Sequence, residues 1–444
     1  MSMRVSVVGS GYVGLVSAAG LAEAGHEVMC VDVDARKVDL INRGVAPIFE
    51  EGLETLLKRH VGARLKATCD LEAAVLGSDL TLIAVGTPFD GDHIDLAQIR
   101  RASGQIGEAL GRKSGYHVVA VKSTVVPGTT TGVVLPILEE RSARMAGVEF
   151  GVGMNPEFLR EGHAVADFLA PDRIVLGGID ERTRDVLAEL YAPFTTDAIR
   201  TNPTTAEMIK YTANSLLATL ISFSNEMANL CSVVGVDAAD VQRGVHLDRR
   251  LSPIRADGER IRPASLSYLE AGCGFGGSCL PKDVKALIAF GRDVGSPMRV
   301  LESVIGVNEA QPAQMLRLVR RHLPDLRGVH VAVLGMAFKP GTDDIRESPA
   351  LGVTRSLLDL GAVVKAFDPV ARAEAERVFG RRVDFVDRLE SAIDNVSAVM
   401  IMTRWPQFER LPELIAALPR PPLVVDGRRM LAKDSVPRYE GIGL

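Results

Sequence analysis

Aromatic residues are scarce. Phe, Tyr and Trp make up 5% of the 444 residues, with a single Trp. Cores must therefore be built mainly from Val, Leu, Ile and Ala. Cysteine is also sparse and odd in number: Cys30, Cys69, Cys231, Cys273 and Cys279. A chain of this length needs no disulfide staples, so the simplest expectation is a reducing compartment. No sign of charge dominates. Lys plus Arg number 51 against 56 Asp plus Glu, a net charge of −5, which argues against nucleic acid as a partner. No apolar run approaches the ~20 residues of a membrane helix. No basic, apolar leader precedes Arg4-Val5-Ser6-Val7-Val8, which enters a strand pattern at once. Together these absences predict a cytoplasmic protein with no membrane partner.

What is present is the composition of a globular protein, 47% hydrophobic and 24% charged. The length predicts two or three domains. In the first third, short β-branched runs at Val5–Gly9, Glu27–Asp32, Leu80–Gly86 and Val118–Thr124 alternate with helical stretches such as Tyr12–Ala24 and Ala35–Arg43. That alternation predicts a parallel, doubly wound sheet, continuing to Ile174–Gly178. Thr205–Val234 then reads as one long helix ended by Gly235, apolar on several sides, and suited to a buried connector or a dimer core. Asp248–Pro263, Arg-rich with two prolines, reads as a loop. Strands alternate with helices again at His330–Gly335, Val363–Asp368, Ala398–Thr403 and Leu423–Asp426. The fold class expected is α/β, with two doubly wound Rossmann-like domains joined by a long central helix.

Several motifs carry chemistry. The first strand runs into Gly9-Ser10-Gly11-Tyr12-Val13-Gly14, which opens a helix. Gly9 permits the tight turn, Gly11 lets a pyrophosphate approach the backbone, and Gly14 lets helix and strand pack closely. Asp32 ends the next strand, where a carboxylate accepts from a ribose 2′-hydroxyl and repels a 2′-phosphate. NAD is thus expected over NADP; the bland alternative is a glycine turn without a ligand. Thr87 and Thr124 each follow a strand, at the sheet edge where ligands sit in such folds, and serve equally well as turn residues. Gly274-Phe275-Gly276-Gly277-Ser278-Cys279 places glycines around one cysteine, with Lys282 and Asp283 close behind. An activated thiolate there is a covalent nucleophile for a carbonyl carbon; the alternative is a buried structural cysteine. Cys273 and Cys279 lack partners at metal-ligand spacing, so no metal is expected. Lys210 and Asn214 share a face of the long helix, with Glu207 near it. Apolar neighbours make Lys210 a candidate desolvated cation rather than part of a solvated stripe. Glu157 and Glu161, in Asn155–Gly162, follow the strand Glu149–Val152 and can face one cleft, or simply enrich a helical first turn.

In this order the motifs resemble the UDP-glucose/GDP-mannose dehydrogenase family over nearly the whole chain. Val85–Pro88, Ser123–Gly128 and Phe338–Pro349 add to the resemblance. It implies three domains, at 1–203 for NAD, 204–305 for a helical dimer region with the cysteine loop, and 306–444 for the nucleotide of the substrate. It implies a four-electron oxidation of a nucleotide sugar at C6 with two NAD, through a thiohemiacetal and a thioester on Cys279. Lys210 would steady oxyanions and Asn214 would orient the 6-oxygen. Asp283, Thr124 and Glu157 would handle protons and the hydrolytic water. By the same resemblance Lys37, Glu161, Lys282 and Arg346 would meet the cofactor. Phe158, Leu159, Arg160, Arg250, Tyr268, Leu269, Gly276, Phe338 and Lys339 would meet the sugar nucleotide.

Two departures stand out. Glu51 replaces a family proline, which should loosen its loop. Extra residues at Ile254–Ala264 follow Arg250 and fall where a loop should cover the substrate. UDP-glucose is the favoured substrate, from Ala166–Val175 and Arg243–Asp248, with GDP-mannose the alternative. A two-electron hydroxyacid dehydrogenase would leave the cysteine loop and the C-terminal domain unused. A sugar-nucleotide sensor would need no turnover at all.

Overall fold

A computed structural model describes residues 2–444. The chain forms two compact units, Met1–Ala213 and Asn214–Leu444. The helix Pro203–Val234 contributes to both.

The first unit is built on eight strands: β1 (Arg4–Val8), β2 (Glu27–Val31), β3 (Leu65–Thr68), β4 (Leu80–Ile83), β5 (His117–Val121), β6 (Phe150–Met154), β7 (Ile174–Gly178) and β8 (Ala198–Thr201). Their order is β3-β2-β1-β4-β5-β6-β7-β8. The order reverses between β1 and β4, and the crevice outside the carboxyl ends of the strands at that point is where ligands bind in such sheets. β1, β4 and β5 are buried almost throughout, because helices cover both faces of a parallel sheet. Val, Leu, Ile and Ala dominate the core.

The sheet is not parallel throughout, as the sequence pattern implied. β7 pairs antiparallel with β6, Gly153 facing Gly178 and Met154 facing Gly177. A parallel return needs a crossover to the far end of the sheet. The Asn155–Arg173 connection holds only the short helix Ala164–Leu169, and the chain turns straight back beside β6.

The second unit carries β9 (His330–Leu334), β10 (Val363–Phe367), β11 (Val383–Phe385), β12 (Ala398–Ile401), β13 (Leu423–Asp426) and β14 (Tyr439–Gly441). This sheet is parallel, in the order β11-β10-β9-β12-β13-β14.

The long helix starts two residues earlier than its sequence pattern suggested. Pro203 occupies the first helical position, where its missing N–H costs nothing. The Asn202 side chain accepts from Thr205 N–H at 2.8 Å and caps the end. At the far end Gly235 adopts φ +73° and Val236 N–H reaches Cys231 O at 3.0 Å, a Schellman closure. At ~1.5 Å per residue its 32 residues span roughly 48 Å. The expected loop at 248–263 holds neither helix nor strand, but Ile254 and Arg260 form a small antiparallel bridge. Arg260 ties that turn back to Leu247 O and Ser252 O.

A polar chain crosses the first core. Ser78, Ser6 and Thr81 hydroxyls link to His117 Nε2, and Ser78 O lies 3.2 Å from His117 Nδ1. A carbonyl only accepts, so Nδ1 carries the proton of the neutral ring. Burial, reinforced by Lys113, pushes the His117 pKa down to about 3. The unfolded chain takes up that proton below pH ~6.5 while the folded one does not. The stability is therefore complete above that pH and declines as pH falls toward 3, by up to about 1.4 kcal/mol per pH unit. We expect His117→Asn to flatten the loss of thermal stability between pH 6.5 and 5 relative to wild type; parallel pH profiles of the two melting temperatures would refute this.

Candidate active site

The dinucleotide turn lies at the carboxyl end of β1. Gly9 has φ +104°, and a Cβ there would stand 2.6 Å from Ala84 O. A Cβ on Gly14 would strike the Gly9 carbonyl, whereas one on Gly11 would meet nothing within 4 Å. The space over Gly11 is open, as a pyrophosphate needs, and the helix Tyr12–Glu23 begins beside it with its first N–H groups free of intrahelical partners. Tyr12 and Val13 are half-buried at that start.

Asp32 follows β2. Its carboxylate accepts from Ser10 N–H at 2.9 Å, from the Ser10 hydroxyl, and from Asp34 N–H at 2.9 Å. Burial pushes its pKa up, but these bonds and the Lys37 charge outweigh it and hold the group below the usual range. A permanent anion at this point suits a ribose diol and opposes a 2′-phosphate. The turn, the open space and the acid fit NAD.

Beyond β4 and β5, the Thr87 hydroxyl donates to Thr124 O at 2.8 Å, and Thr124 is half-buried. Beyond β6 lies a buried ion pair. Lys210 Nζ stands 3.0 Å from Glu157 Oε1, their side chains 4% and 6% exposed. Burial raises the Glu157 pKa, but the Lys210 ammonium, the Leu159 N–H at 2.7 Å and the more remote Lys122 charge more than offset it, leaving the carboxyl below its usual range. The Phe158 ring lies 3.7 Å from the Arg173 guanidinium and 5.5 Å from Lys210 Nζ. Arg160 pairs with Asp167 at the surface, and Glu161 is buried. Glu207, expected near the Lys210 face, is fully buried and accepts from Gly128 N–H, Thr130 N–H and the Thr130 hydroxyl. Burial raises its pKa.

In the second unit Cys279 is the N-cap of the helix Leu280–Asp293 and is half-buried. Asp283 N–H closes the first turn on Cys279 O at 2.9 Å. Asp283 is buried and accepts from Asn214 Nδ2 and from Lys282 Nζ, each at 2.6 Å. The glycine loop packs against the 338–348 segment. Gly277 has φ +84°, and a Cβ there would come within 2.8 Å of the Phe338 ring. Gly277 N–H donates to Arg346 O at 2.8 Å. Gly276 is buried, and Lys339 Nζ lies 5.6 Å from the Phe338 ring centre. The Arg346 side chain pairs with Asp344, and Arg250 pairs with Asp248 as an exposed side chain. Tyr268 and Leu269 sit on a short 3-10 turn, with Leu269 O facing His246.

Sequence reasoning missed the residues that hold this loop. Asn308 clamps both backbone groups of Phe275, at 2.8 and 3.0 Å. Gln311 donates to Gly272 O, Asn225 accepts from Gly272 N–H, and Arg428 donates to Gly274 O. It also missed Glu50, whose carboxylate accepts from Gly162 and Ala164 N–H in the first unit, and Lys122, buried against Asn155 and Tyr191. The second sheet has its own acid after the second strand, Asp368. There Met336 N–H, Ala337 N–H, Trp405 Nε1, Val370 N–H and Ala371 N–H all donate to it.

Sequence profiles of a single family match this arrangement from end to end. Residues 3–195 match the NAD binding domain of the UDP-glucose/GDP-mannose dehydrogenase family, 204–310 its central domain, and 332–433 its UDP binding domain. The chain belongs to the UDP-glucose/GDP-mannose dehydrogenase family. It is an NAD-dependent oxidoreductase. The UDP-glucose 6-dehydrogenase AglM of Haloferax volcanii is 44% identical, over 99% of this chain and 100% of that one. A GDP-mannose 6-dehydrogenase of Pseudomonas aeruginosa is 43% identical, over 90% of this chain and 87% of its own. The solved UDP-glucose dehydrogenase of Pyrobaculum islandicum superposes with a TM-score of 0.91 at 41% identity, covering 100% of this chain and 98% of that one.

Removing one member of the buried pair strands the other. We expect Lys210→Met to cost about 3 kcal/mol in denaturant unfolding, and Lys210→Met with Glu157→Gln to recover most of it. Equal stability of wild type and Lys210→Met would contradict the pairing.

Proposed function

We propose that this chain oxidises the 6-hydroxyl of UDP-glucose to the carboxylate through a covalent thioester on Cys279. The observation that carries the reading is the setting of that cysteine. It caps a helix behind a glycine loop, one turn before a buried Asp283 held by Asn214 and Lys282. The positive end of the helix faces the charge a thiolate brings. UDP-glucose is favoured by the relatives that carry its name, at 44% and 41% identity. The 43% identical GDP-mannose enzyme keeps GDP-mannose as the second reading.

NAD, held by Gly9–Gly14 and Asp32, supplies the hydride acceptor. Lys210 neutralises the oxyanion that develops on the sugar 6-oxygen, a contribution of ~3 kcal/mol in a dry site. Asn214 donates to that oxygen and fixes its orientation. The first two-electron oxidation, with one NAD, leaves an aldehyde; the Cys279 thiolate adds to it and forms the thiohemiacetal, whose two-electron oxidation with a second NAD would give the thioester. Water, activated by Glu157 or Asp283 and aligned with Thr124, cleaves the thioester and restores the thiol. Lys282, Lys37, Glu161 and Arg346 serve the cofactor. Tyr268, Leu269, Gly276, Phe338, Lys339, Arg250 and the Phe158–Arg160 segment serve the sugar nucleotide.

The same reading includes a homodimer in the cytoplasm. Leu216, Phe223 and Leu230 recur every seven residues on the long helix and are each more than half exposed, with Val233 and Val234 beside them. An apolar stripe of this period suits a second helix. Light scattering should give twice the chain mass of 47.6 kDa, and Leu216→Glu with Phe223→Glu should give one; a monomeric wild type would remove the dimer.

The chemistry is read from NADH formed per sugar with excess NAD and limiting UDP-glucose, GDP-mannose in parallel. We expect two NADH per UDP-glucose, and loss of the full oxidation in Cys279→Ala. One NADH per sugar would point to an ordinary alcohol dehydrogenase, and two with GDP-mannose alone would move the substrate.

A further inference from the structure

We propose that Glu50 is a positioning residue that couples NAD occupancy of the glycine turn to the order of the 157–164 loop. One buried carboxylate joins three segments of the first unit. Glu50 is 7% exposed. Its Oε1 accepts from Ala164 N–H at 2.7 Å, and its Oε2 accepts from Gly162 N–H at 2.7 Å and from the Tyr12 hydroxyl. Gly162 N–H also lies 2.9 Å from that hydroxyl oxygen.

Tyr12 is the link to the cofactor. It is the first residue of the helix after Gly11, so its backbone belongs to the set of N–H groups that cradle a pyrophosphate. Its side chain is committed to Glu50. Burial, and then the Glu50 carboxylate, hold the phenol far above its usual range, so it remains a donor at any working pH. On the other side, Gly162 and Ala164 flank the start of the helix Ala164–Leu169 and close the loop that carries Glu157 and Glu161.

A buried carboxylate is costly when its donors are missing. One donor comes from the glycine-turn helix and two from the loop, so Glu50 is satisfied only while turn and loop keep their relative positions. Fixing the Tyr12 backbone with a pyrophosphate fixes the phenol, and through Glu50 the two loop amides. Linkage is reciprocal, so an ordered loop must also raise NAD affinity. The inference concerns NAD and this chain alone. It stands whether the sugar nucleotide is UDP-glucose or another.

Hydrogen exchange on the full chain, with and without NAD and without any sugar, tests it. NAD should slow exchange of the 159–165 amides roughly fivefold in wild type, the low end of ordinary coupling. Glu50→Gln puts an amide NH2 where a backbone N–H now donates. It should bind NAD more weakly, and the bound form should lose most of that slowing. Tyr12→Phe leaves both main-chain bonds to Glu50 intact and removes the phenol's bond to Glu50 together with its contact to Gly162 N–H, so it too should lose the slowing, read against its own exchange without NAD. Equal NAD-induced slowing in wild type and the variants overturns the proposal, and so does no slowing in wild type. If Glu50→Gln does not fold, Tyr12→Phe decides the matter alone.

Discussion

An ammonium group buried to 4% exposure must be answered by an opposite charge. Lys210 is answered by Glu157, and much of the first unit follows from that pairing. The long helix must begin early enough to bring Lys210 opposite the end of β6, which the Asn202 cap and Pro203 start achieve. The loop after β6 must hold Glu157 inward, which Leu159 N–H and the packing of Phe158 against Arg173 secure. The pair keeps both charges in a place with little water, where each acts on a neighbour more strongly than it would at the surface.

The loops around the site are built by acids that accept from backbone amides. Asp32 holds the Ser10 turn, Glu50 holds Gly162 and Ala164, and Glu207 holds the Gly128–Thr130 turn. Strand-to-helix turns leave N–H groups without partners, and a buried carboxylate satisfies two or three of them at once. Such loops need few apolar contacts, and their shape is set by direction rather than by bulk.

How much of this the sequence discloses depends on whether a residue's role is local. The glycine turn and its acid are legible because turn, approach and packing each demand a residue type at a fixed spacing. The cysteine loop is legible for the same reason. The reversal of β7 is not, because Ile174–Gly178 has the same apolar character in either direction. β3 and β8, four residues each, are too short to show a period. Asn308 and Gln311 read as ordinary polar positions on a helix, and only the fold brings the Phe275 and Gly272 backbones against them. Pro203 reads as a breaker until the cap before it is seen. The Arg-rich 248–263 stretch is recognisable as irregular, but its closure by Arg260 on two carbonyls depends on partners outside the turn itself.

Six strands of the first sheet repeat the strand order of the second, yet the two differ at one acid. Asp32 accepts two bonds from Ser10 of the glycine turn and one from Asp34 N–H, and the space above Gly11 stays open. Asp368 is saturated by five donors, so a ribose arriving there would find its acceptor already spent. A repeated architecture is thereby specialised by saturation rather than by loss of the acid. With one dinucleotide turn among the described residues, the two oxidations that the proposed thioester route requires would have to be separated in time. On that proposal a half-oxidised sugar bound through sulfur would stay in place during the interval, and the covalent bond would serve as a mooring as well as a step in the chemistry.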